Sequence, residues 1–395
     1  MEYCQGKRGE YTEIIPFINE VFGENFPVIL PKTYGADRHF EEYHQLVKED
    51  GVLTALIGNY EQDFYIGDRV LRTGCVGSVS VAKRARGRGY MKLLMKKTEE
   101  AMRAHQVDLA FLGGLRNRYG FFGFEKGGYT YDFHFNEANI RQTIGWEEDA
   151  AVEIRPVTEK DPVLDEMYAL YRKNQFMWCR SREEFLMKSR TWNNEVFQVR
   201  IEDTFAGYYA AKGGCIVELE LSDWNHLLRV AKACMVRNRE KSLSVQVVGW
   251  HTAQVSALYQ ACEHYTLRTG CSYKILNYPN VLAALLEVKK QTTKLEDGIL
   301  TIAIQETDSQ DGAMMKTVSS EKTAQNFIGI YRITVQNQEV TVEETAEVQP
   351  DLILTEREAV TVLLSPAGQF YLREKKDKLK NWFPAEFSIS NLDEF

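Results

Sequence analysis

The stretch Cys75-Val76-Gly77-Ser78-Val79-Ser80-Val81-Ala82-Lys83-Arg84-Ala85-Arg86-Gly87-Arg88-Gly89-Tyr90-Met91-Lys92-Leu93-Leu94 decides the fold of the first part of the chain. A β-rich run enters a turn with two glycines. An amphipathic helix follows without a spacer, its core-facing positions at Met91, Leu94, Met95, Thr98, Ala101 and Met102. Residues 107–112 read as the next strand, so strand, glycine turn, helix and strand form one βαβ unit. A helix N-terminus exposes backbone N–H groups and a partial positive charge, which suits a phosphate. Gly87 and Gly89 let that backbone approach a ligand without a Cβ in the way. Arg84, Arg86, Arg88 and Lys92 add positive charge around it. The dinucleotide fingerprint G-x-G-x-x-G fails, because Lys92 stands where its third glycine belongs, and G-x-x-x-x-G-K-[ST] is absent. What remains is R-x-x-G-x-G, from Arg84 through Gly87 to Gly89.

Outward from this unit the chain divides into three blocks, 1–148, 149–289 and 290–395. Upstream, Ile14, Ile15, Phe17, Ile18, Val21 and Phe22 predict an amphipathic helix over 11–22, a second helix is predicted near 38–48, and strands over 52–59 and 75–82. Residues 129–135 predict the last strand of the first block, and Glu147, Glu148 and Asp149 form an acidic connector. The second block repeats the order. Its strands are predicted at 152–157, 196–202, 206–211, 215–221 and 272–276, and its helices at 161–174, 223–239 and 253–264. It lacks the glycine-rich loop and reads as a second copy whose cofactor site is absent. In the third block, strands are predicted at 299–304, 331–335 and 340–344, the last two joined by a turn at 336–339. Residues 351–354 then lead into a helix over 356–364, which makes a small α+β layer.

The formal charge of −8, from 56 acidic and 48 basic residues, argues against a nucleic-acid binder and sits comfortably with a cationic small molecule. No run approaches the roughly 20 apolar residues of a membrane span, so membrane insertion is not expected. The opening Met1-Glu2-Tyr3-Cys4-Gln5 has no basic segment before an apolar run, which disfavours a secretory signal. Seven cysteines, odd in number and without a C-x-x-C pair, suit free thiols in a reducing cytoplasm better than disulfides or zinc. Cys262 and His264 have no second pair at ligand spacing, so no metal is expected. Trp178, Trp192, Trp224 and Trp250 read as packing, and the run Arg373–Lys380, broken by acids, as a solvated face.

R-x-x-G-x-G at Arg84–Gly89, followed about 30 residues later by Tyr119-Gly120-Phe121-Phe122-Gly123-Phe124, resembles the paired markers of the GNAT superfamily of N-acetyltransferases. Along its whole length the chain resembles the Eis-like ("enhanced intracellular survival") branch. That resemblance implies an α+β protein of tandem GNAT (acyl-CoA N-acyltransferase) folds, the second degenerate, followed by a C-terminal sterol-carrier-protein-like domain. It implies acetyl-CoA as cosubstrate and an amine acceptor, which the sequence leaves open among aminoglycosides, polyamines, lysines and small metabolites. Tyr119 resembles the general acid, although it also suits plain packing beside Phe121 and Phe122. Residues 75–82 hold no carboxylate for a base. The branch instead folds its C-terminal carboxylate into the active site, which here falls to Phe395.

By the same resemblance Val79, Ser80 and Val81 offer backbone groups to the pantetheine arm. Arg86, Gly87, Arg88, Gly89, Tyr90, Met91 and Lys92 hold the phosphates, and Gly114 and Leu115 lie along the cofactor. Glu24 and Glu394 are the acceptor-side candidates, and a homohexamer is the expected assembly. The rival expectation is a non-catalytic binder of acyl-CoA or, through the third block, of lipid.

Overall fold

Long strand-forming runs flank Gly67, which takes φ +55, and they fold back on each other as the hairpin Val52–Ile66 and Arg69–Val81. The computed structural model describes residues 1–147, 149–306, 327–346, 349–371 and 379–395. Glu148 of the acidic connector and residues 373–378 of the basic run lie outside them.

The hairpin is the middle of a first sheet whose path runs Glu2–Gln5, His44–Glu49, Val52–Ile66, Arg69–Val81, Leu109–Leu112, Ser272–Ile275 and Glu125–Lys126. Pairing is antiparallel up to Arg69–Val81, which then runs parallel to Leu109–Leu112. A parallel neighbour needs a crossover, and helix Tyr90–Ala104 supplies it. Its buried stripe of Tyr90, Leu94, Met95, Thr98 and Met102 faces the sheet. The helix expected near 38–48 does not form. Glu41–Tyr43 is one 3₁₀ turn and His44–Glu49 is a strand. His44 to Val47 are buried on both faces between two partner strands, and that burial outweighs weak helical spacing.

The second sheet repeats the plan, in the order His264–Arg268, Thr130–Asn136, Ser242–Val248, Cys215–Leu221, Thr204–Lys212, Glu195–Ile201 and Val152–Pro156. Its parallel pair, Cys215–Leu221 with Ser242–Val248, is joined through helix Leu227–Asn238. One strand of each sheet comes from the other block. Thr130–Asn136, which follows the first sheet in sequence, lies beside Ser242–Val248, and Ser272–Ile275 lies beside Leu109–Leu112.

The third sheet runs Glu339–Glu344, Phe327–Gln336, Gly298–Gln305 and Leu352–Thr355. Its hairpin turns on Asn337 and Gln338, both at positive φ, as two-residue hairpin loops require. Helix Glu356–Leu364 starts with a reciprocal cap between Thr355 and Glu358. Helix Tyr278–Lys289, this sheet and one face of the first sheet share a single core. The last stretch of chain enters that core, burying Leu379, Trp382, Phe383, Phe387 and Ile389, and then places Leu392 in a separate cluster with Tyr171, Phe185 and Tyr208 beside the second sheet. The Trp382 indole N–H donates to the Glu296 carbonyl at 2.8 Å.

Because the two sheets exchange strands, residues 1–148 expressed alone should not fold as a monomer. The edge of Leu109–Leu112 would lose Ser272–Ile275, and Thr130–Asn136 would lose both its neighbours. Size-exclusion chromatography and urea unfolding should show aggregation without a cooperative transition; a monodisperse, cooperatively unfolding fragment would contradict this.

Candidate active site

Strand Arg69–Val81 runs further than its parallel partner can follow. Pairing with Leu109–Leu112 ends at Cys75 opposite Phe111. On the other flank the register slips between Leu56–Ser80 and Gly58–Gly77, and Ser78 takes φ +52 as the extra residue of a bulge. The two parallel strands therefore diverge into a fork whose one arm is residues 76–81. Ser80 is buried there, with its hydroxyl donating to the Ser78 carbonyl at 2.8 Å, and Val79 and Val81 are half-buried.

Beyond the fork, Lys83–Ala85 makes a 3₁₀ turn and Gly89 caps helix Tyr90–Ala104. Gly87 and Gly89 both sit at φ +81, with nothing within 4 Å of where a Cβ would stand. Arg86, Gly87, Arg88, Gly89 and Lys92 are exposed, while Tyr90 is buried and Met91 half-buried. Arg88 pairs with Glu49 at 2.8 Å, and the Tyr90 hydroxyl reaches the same carboxylate. A hollow of about 450 Å³ beside Lys83, Arg84 and Arg86 adjoins this turn.

Tyr119 stands on the other side of the fork, on the short helix Arg116–Gly120, and is buried. Gly114, at φ +151, has to be glycine, because a Cβ would come 2.5 Å from the Tyr119 ring. Leu115 beside it is exposed. Burial pushes the Tyr119 phenol above its ordinary range, against the pull of Arg118. The third block braces this helix from beneath. The Arg357 guanidinium lies 3.1 Å from the Cβ position of Gly120 and donates to Glu125 at 2.6 Å, as Arg116 does at 2.5 Å. Burial alone would raise the Glu125 carboxyl, but the two guanidinium groups hold it low.

The chain's last residues arrive from the opposite face of the same strand. The Phe395 oxygen lies 3.1 Å from the Cβ position of Gly77, and the Cys75 thiol is 3.8 Å from it. The Phe395 ring stacks on Tyr60, with centroids 5.2 Å apart. Phe395 also lines a cavity of about 580 Å³, whose walls include Tyr43, Tyr65, Trp178, Asp37 and Asp63. Glu394 is half-buried, accepts a bond from the Cys271 thiol at 2.7 Å and has its carboxyl raised by burial. Glu24 is exposed on the bend after helix Tyr11–Phe22, and it does not line this cavity.

Residues 2–127 match the family model described as "Acetyltransferase (GNAT) domain". The chain carries a GNAT acetyltransferase domain. No curated protein matches the sequence. Among solved structures, the chain is similar to a GCN5-related N-acetyltransferase from Kribbella flavida, with TM-score 0.69 and 15% identity, covering 100% of this chain and 98% of that one. Another GCN5-related N-acetyltransferase, from Anabaena variabilis, gives TM-score 0.68 and 15% identity, with 100% of both chains covered. Eis1 from Mycobacterium abscessus gives TM-score 0.58 and 13% identity over 91% of this chain and 89% of that one. These likenesses show a shared fold running through all three sheets. GNAT enzymes use an acyl-CoA, and acyl transfer by such a domain implies an amine acceptor. No helix among the described residues is long and apolar enough to cross a membrane.

The structure brings together beside the fork several residues that motif reading did not single out. Tyr34, Tyr60 and His44 gather behind the bulge. Tyr34 and Tyr60 hydroxyls lie 2.6 and 3.2 Å from the Ser78 hydroxyl, and each is 3.1 Å from His44 Nε2. His44 Nδ1 lies 2.9 Å from the Phe40 carbonyl, to which it donates, and burial pushes the imidazole down to about 4, so it is neutral. Arg180, fully buried, donates to both Asp393 oxygens, at 2.8 and 3.1 Å, and to Glu218 at 2.9 Å. Neither group carries a local motif; each depends on contacts between distant parts of the chain.

Burial by itself would raise the Asp393 carboxyl, but Arg180, with Lys32 and Lys188, holds it at about 2, below the ordinary 3.8. A carboxyl lowered in the folded state stabilises above its unfolded value, and loses that contribution as pH falls through the folded one. Asp393→Asn should lower the unfolding free energy by about 2–3 kcal/mol at neutral pH. The gap to wild type should close between about pH 4 and about pH 2 in urea titrations. A gap independent of pH would refute the assignment.

Proposed function

We propose that the chain transfers an acetyl group from acetyl-CoA to a cationic primary amine by direct attack, with Tyr119 as general acid and the Phe395 carboxylate as general base. The observation that carries this reading is the seating of Phe395 against Gly77 at the fork, between the large cavity and the strand arm 76–81. The residues present fit the cosubstrate. Two left-handed glycines open to solvent precede a 15-residue helix, whose N-terminus and flanking Arg86, Arg88 and Lys92 suit a pyrophosphate. Val79, Ser80 and Val81 lack strand partners on the fork side and suit the amide groups of a pantetheine arm. Gly114 and Leu115 border the same opening. The cosubstrate supplies an activated acetyl thioester.

An attacking amine has to be neutral, so its proton must leave before or during attack. The Phe395 carboxylate takes it, directly or through one water. Tyr119, kept protonated by burial, gives its proton to the departing thiolate. Aromatic walls at Tyr43, Tyr65 and Trp178 with carboxylates at Asp37 and Asp63 suit an alkylammonium, such as a polyamine, an aminoglycoside or a lysine side chain. Glu394, next to the base, belongs to the same acceptor side.

The chain further reads as an Eis-like enzyme of the cytoplasm, with a degenerate second GNAT copy at 149–289 and a sterol-carrier-like domain at 290–395, assembling as a homohexamer. What supports the second copy is the repeated strand order, with Ser222 to His226 in place of the glycine turn. Light scattering on the purified chain tests the assembly.

Free CoA release with a panel of amines tests the chemistry. Tyr119→Phe and removal of Phe395 should each lower kcat about 100-fold or more, the usual worth of a positioned acid or base. A short Gly-Ser extension after Phe395, which turns that carboxylate into an amide, should do the same. Activity near wild type in the extended chain would remove the base from this site.

A further inference from the structure

Three residues at the end of the chain are gripped by side chains from two separate blocks. Lys32, on the short helix Pro31–Tyr34, is buried, donates to the Leu392 carbonyl at 2.8 Å and holds its ammonium 4.5 Å from the centre of the Phe395 ring. Tyr60 stacks on that same ring. Gln62 donates to the Asp393 carbonyl at 2.8 Å. From the second block, Arg180 grips the Asp393 carboxylate in a two-pronged contact and is itself tied to Glu218 on strand Cys215–Leu221.

These contacts leave the last peptide little freedom, with the Phe395 oxygen beside Gly77 and Phe395 among the residues that line the cavity. A charged lysine is costly to bury, and a pocket that merely packed a phenyl ring would not need one. A cation over an aromatic face is directional and holds the ring's tilt; with Leu392 held by the same ammonium, this limits the directions open to the carboxylate, which joins the ring through Cβ and Cα. We propose that Lys32 and Arg180 are positioning residues for the terminal carboxylate: Lys32 orients the Phe395 ring, and Arg180 anchors the tail two residues upstream. This rests on the reading of Phe395 as general base.

The two cations differ in how long they stay charged. Burial pushes Lys32 down to about 8, whereas Arg180 is held above its ordinary range by Asp393 and Glu218. Facing Lys32 are Asp393 and Glu394 from the tail, Cys75 from the central strand, and Cys179 and Lys188 from the second block. Asp393 is already ionised at neutral pH, and burial pushes both thiols upward, Cys75 to about 12. Lys32 therefore loses its charge, and the ring its grip, as pH rises through about 8.

The test uses the full chain with saturating acetyl-CoA and its best amine, comparing wild type, Lys32→Met, Lys32→Arg and Arg180→Lys, each also without Phe395. Carboxypeptidase A, which removes C-terminal aromatic residues, reads the docking of the tail directly. Lys32→Met and Arg180→Lys should lower kcat about 10-fold, leave KM for acetyl-CoA within about 3-fold, and speed Phe395 release about 10-fold. Lys32→Arg should keep wild-type kcat at neutral pH and lack the wild-type decline centred near pH 8. In the chain lacking Phe395, Lys32→Met should cost nothing further.

Equal losses from Lys32→Met with and without Phe395 would overturn the proposal, as would wild-type kcat and Phe395 release in both Lys32→Met and Arg180→Lys. Should Lys32→Met fail to fold, an alkaline decline unchanged in Lys32→Arg overturns it instead. Removal of Phe395 that leaves kcat intact sinks the base assignment and this role together. An inactive truncated chain beside unaffected Lys32 and Arg180 variants sinks this role alone.

Discussion

Everything in the site follows from a parallel strand pair that stops zipping. Strand Arg69–Val81 and Leu109–Leu112 pair through Cys75 and Phe111 and then part, because Ser78 at φ +52 turns the longer strand away. A bulge leaves backbone groups without ladder partners, and such groups inside a protein need something to bond. The fork therefore creates a demand for a ligand, which a β-hairpin in the same place would not. The neutral cluster of His44, Tyr34, Tyr60 and Ser78 stands behind the bulge, tying the Ser78 hydroxyl to the two tyrosines and these to His44. With every member hydrogen-bonded, such a cluster makes the strained backbone rigid.

The same fork occurs twice. In the second sheet, pairing between Cys215–Leu221 and Ser242–Val248 covers only Cys215 and Ile216, after which those strands part as well. No glycine turn follows, and the opening is lined instead by Ser388, Ser390 and Asp393 of the tail, together with Glu218, Glu220 and Trp250. The second fork thus holds protein where the first is open. Exchange of Thr130–Asn136 and Ser272–Ile275 between the sheets holds the two forks in a fixed relation, so one tail reaches from the second to the first.

How much of this was legible follows from how local each signal is. Arg84 to Gly89 and Tyr119 to Phe124 carry their meaning within a few residues, and each lies at the fork, on either side of the opening. Periodicity located helices Tyr11–Phe22, Tyr90–Ala104 and Glu356–Leu364 almost to the residue. It failed at His44–Glu49, where burial on both faces erases any alternation that would mark a strand. Edge strand His264–Arg268, wholly exposed, is equally silent, since no core face selects its residues. Strand exchange has no sequence signature, because Thr130–Asn136 reads the same whichever sheet it joins. Nor do Lys32, Arg180 and Gln62 stand out as tail contacts, since each gains its meaning only from residues more than 200 positions away.

Under the proposed reading, the second sheet, whose fork has no glycine turn, then has a physical role. A carboxylate at the end of a free tail is solvated and adopts many directions, which makes it a weak and badly aimed base. Aiming it needs rigid contacts on more than one side, and a single domain beside the cavity offers only one side. The second fork supplies the other through Arg180, whose own charge is balanced by Glu218 on a strand of that sheet. Replacing Arg180 by an apolar side chain would leave Asp393 and Glu218 as two like charges in a buried place, so the ion pair cannot be simplified one residue at a time. The third block contributes twice. It carries the tail, and its Arg357 fixes the helix that bears Tyr119. The proposed acid, Tyr119, and the proposed base, Phe395, are therefore positioned at one fork by different parts of the chain, and all three blocks must pack together to bring them there.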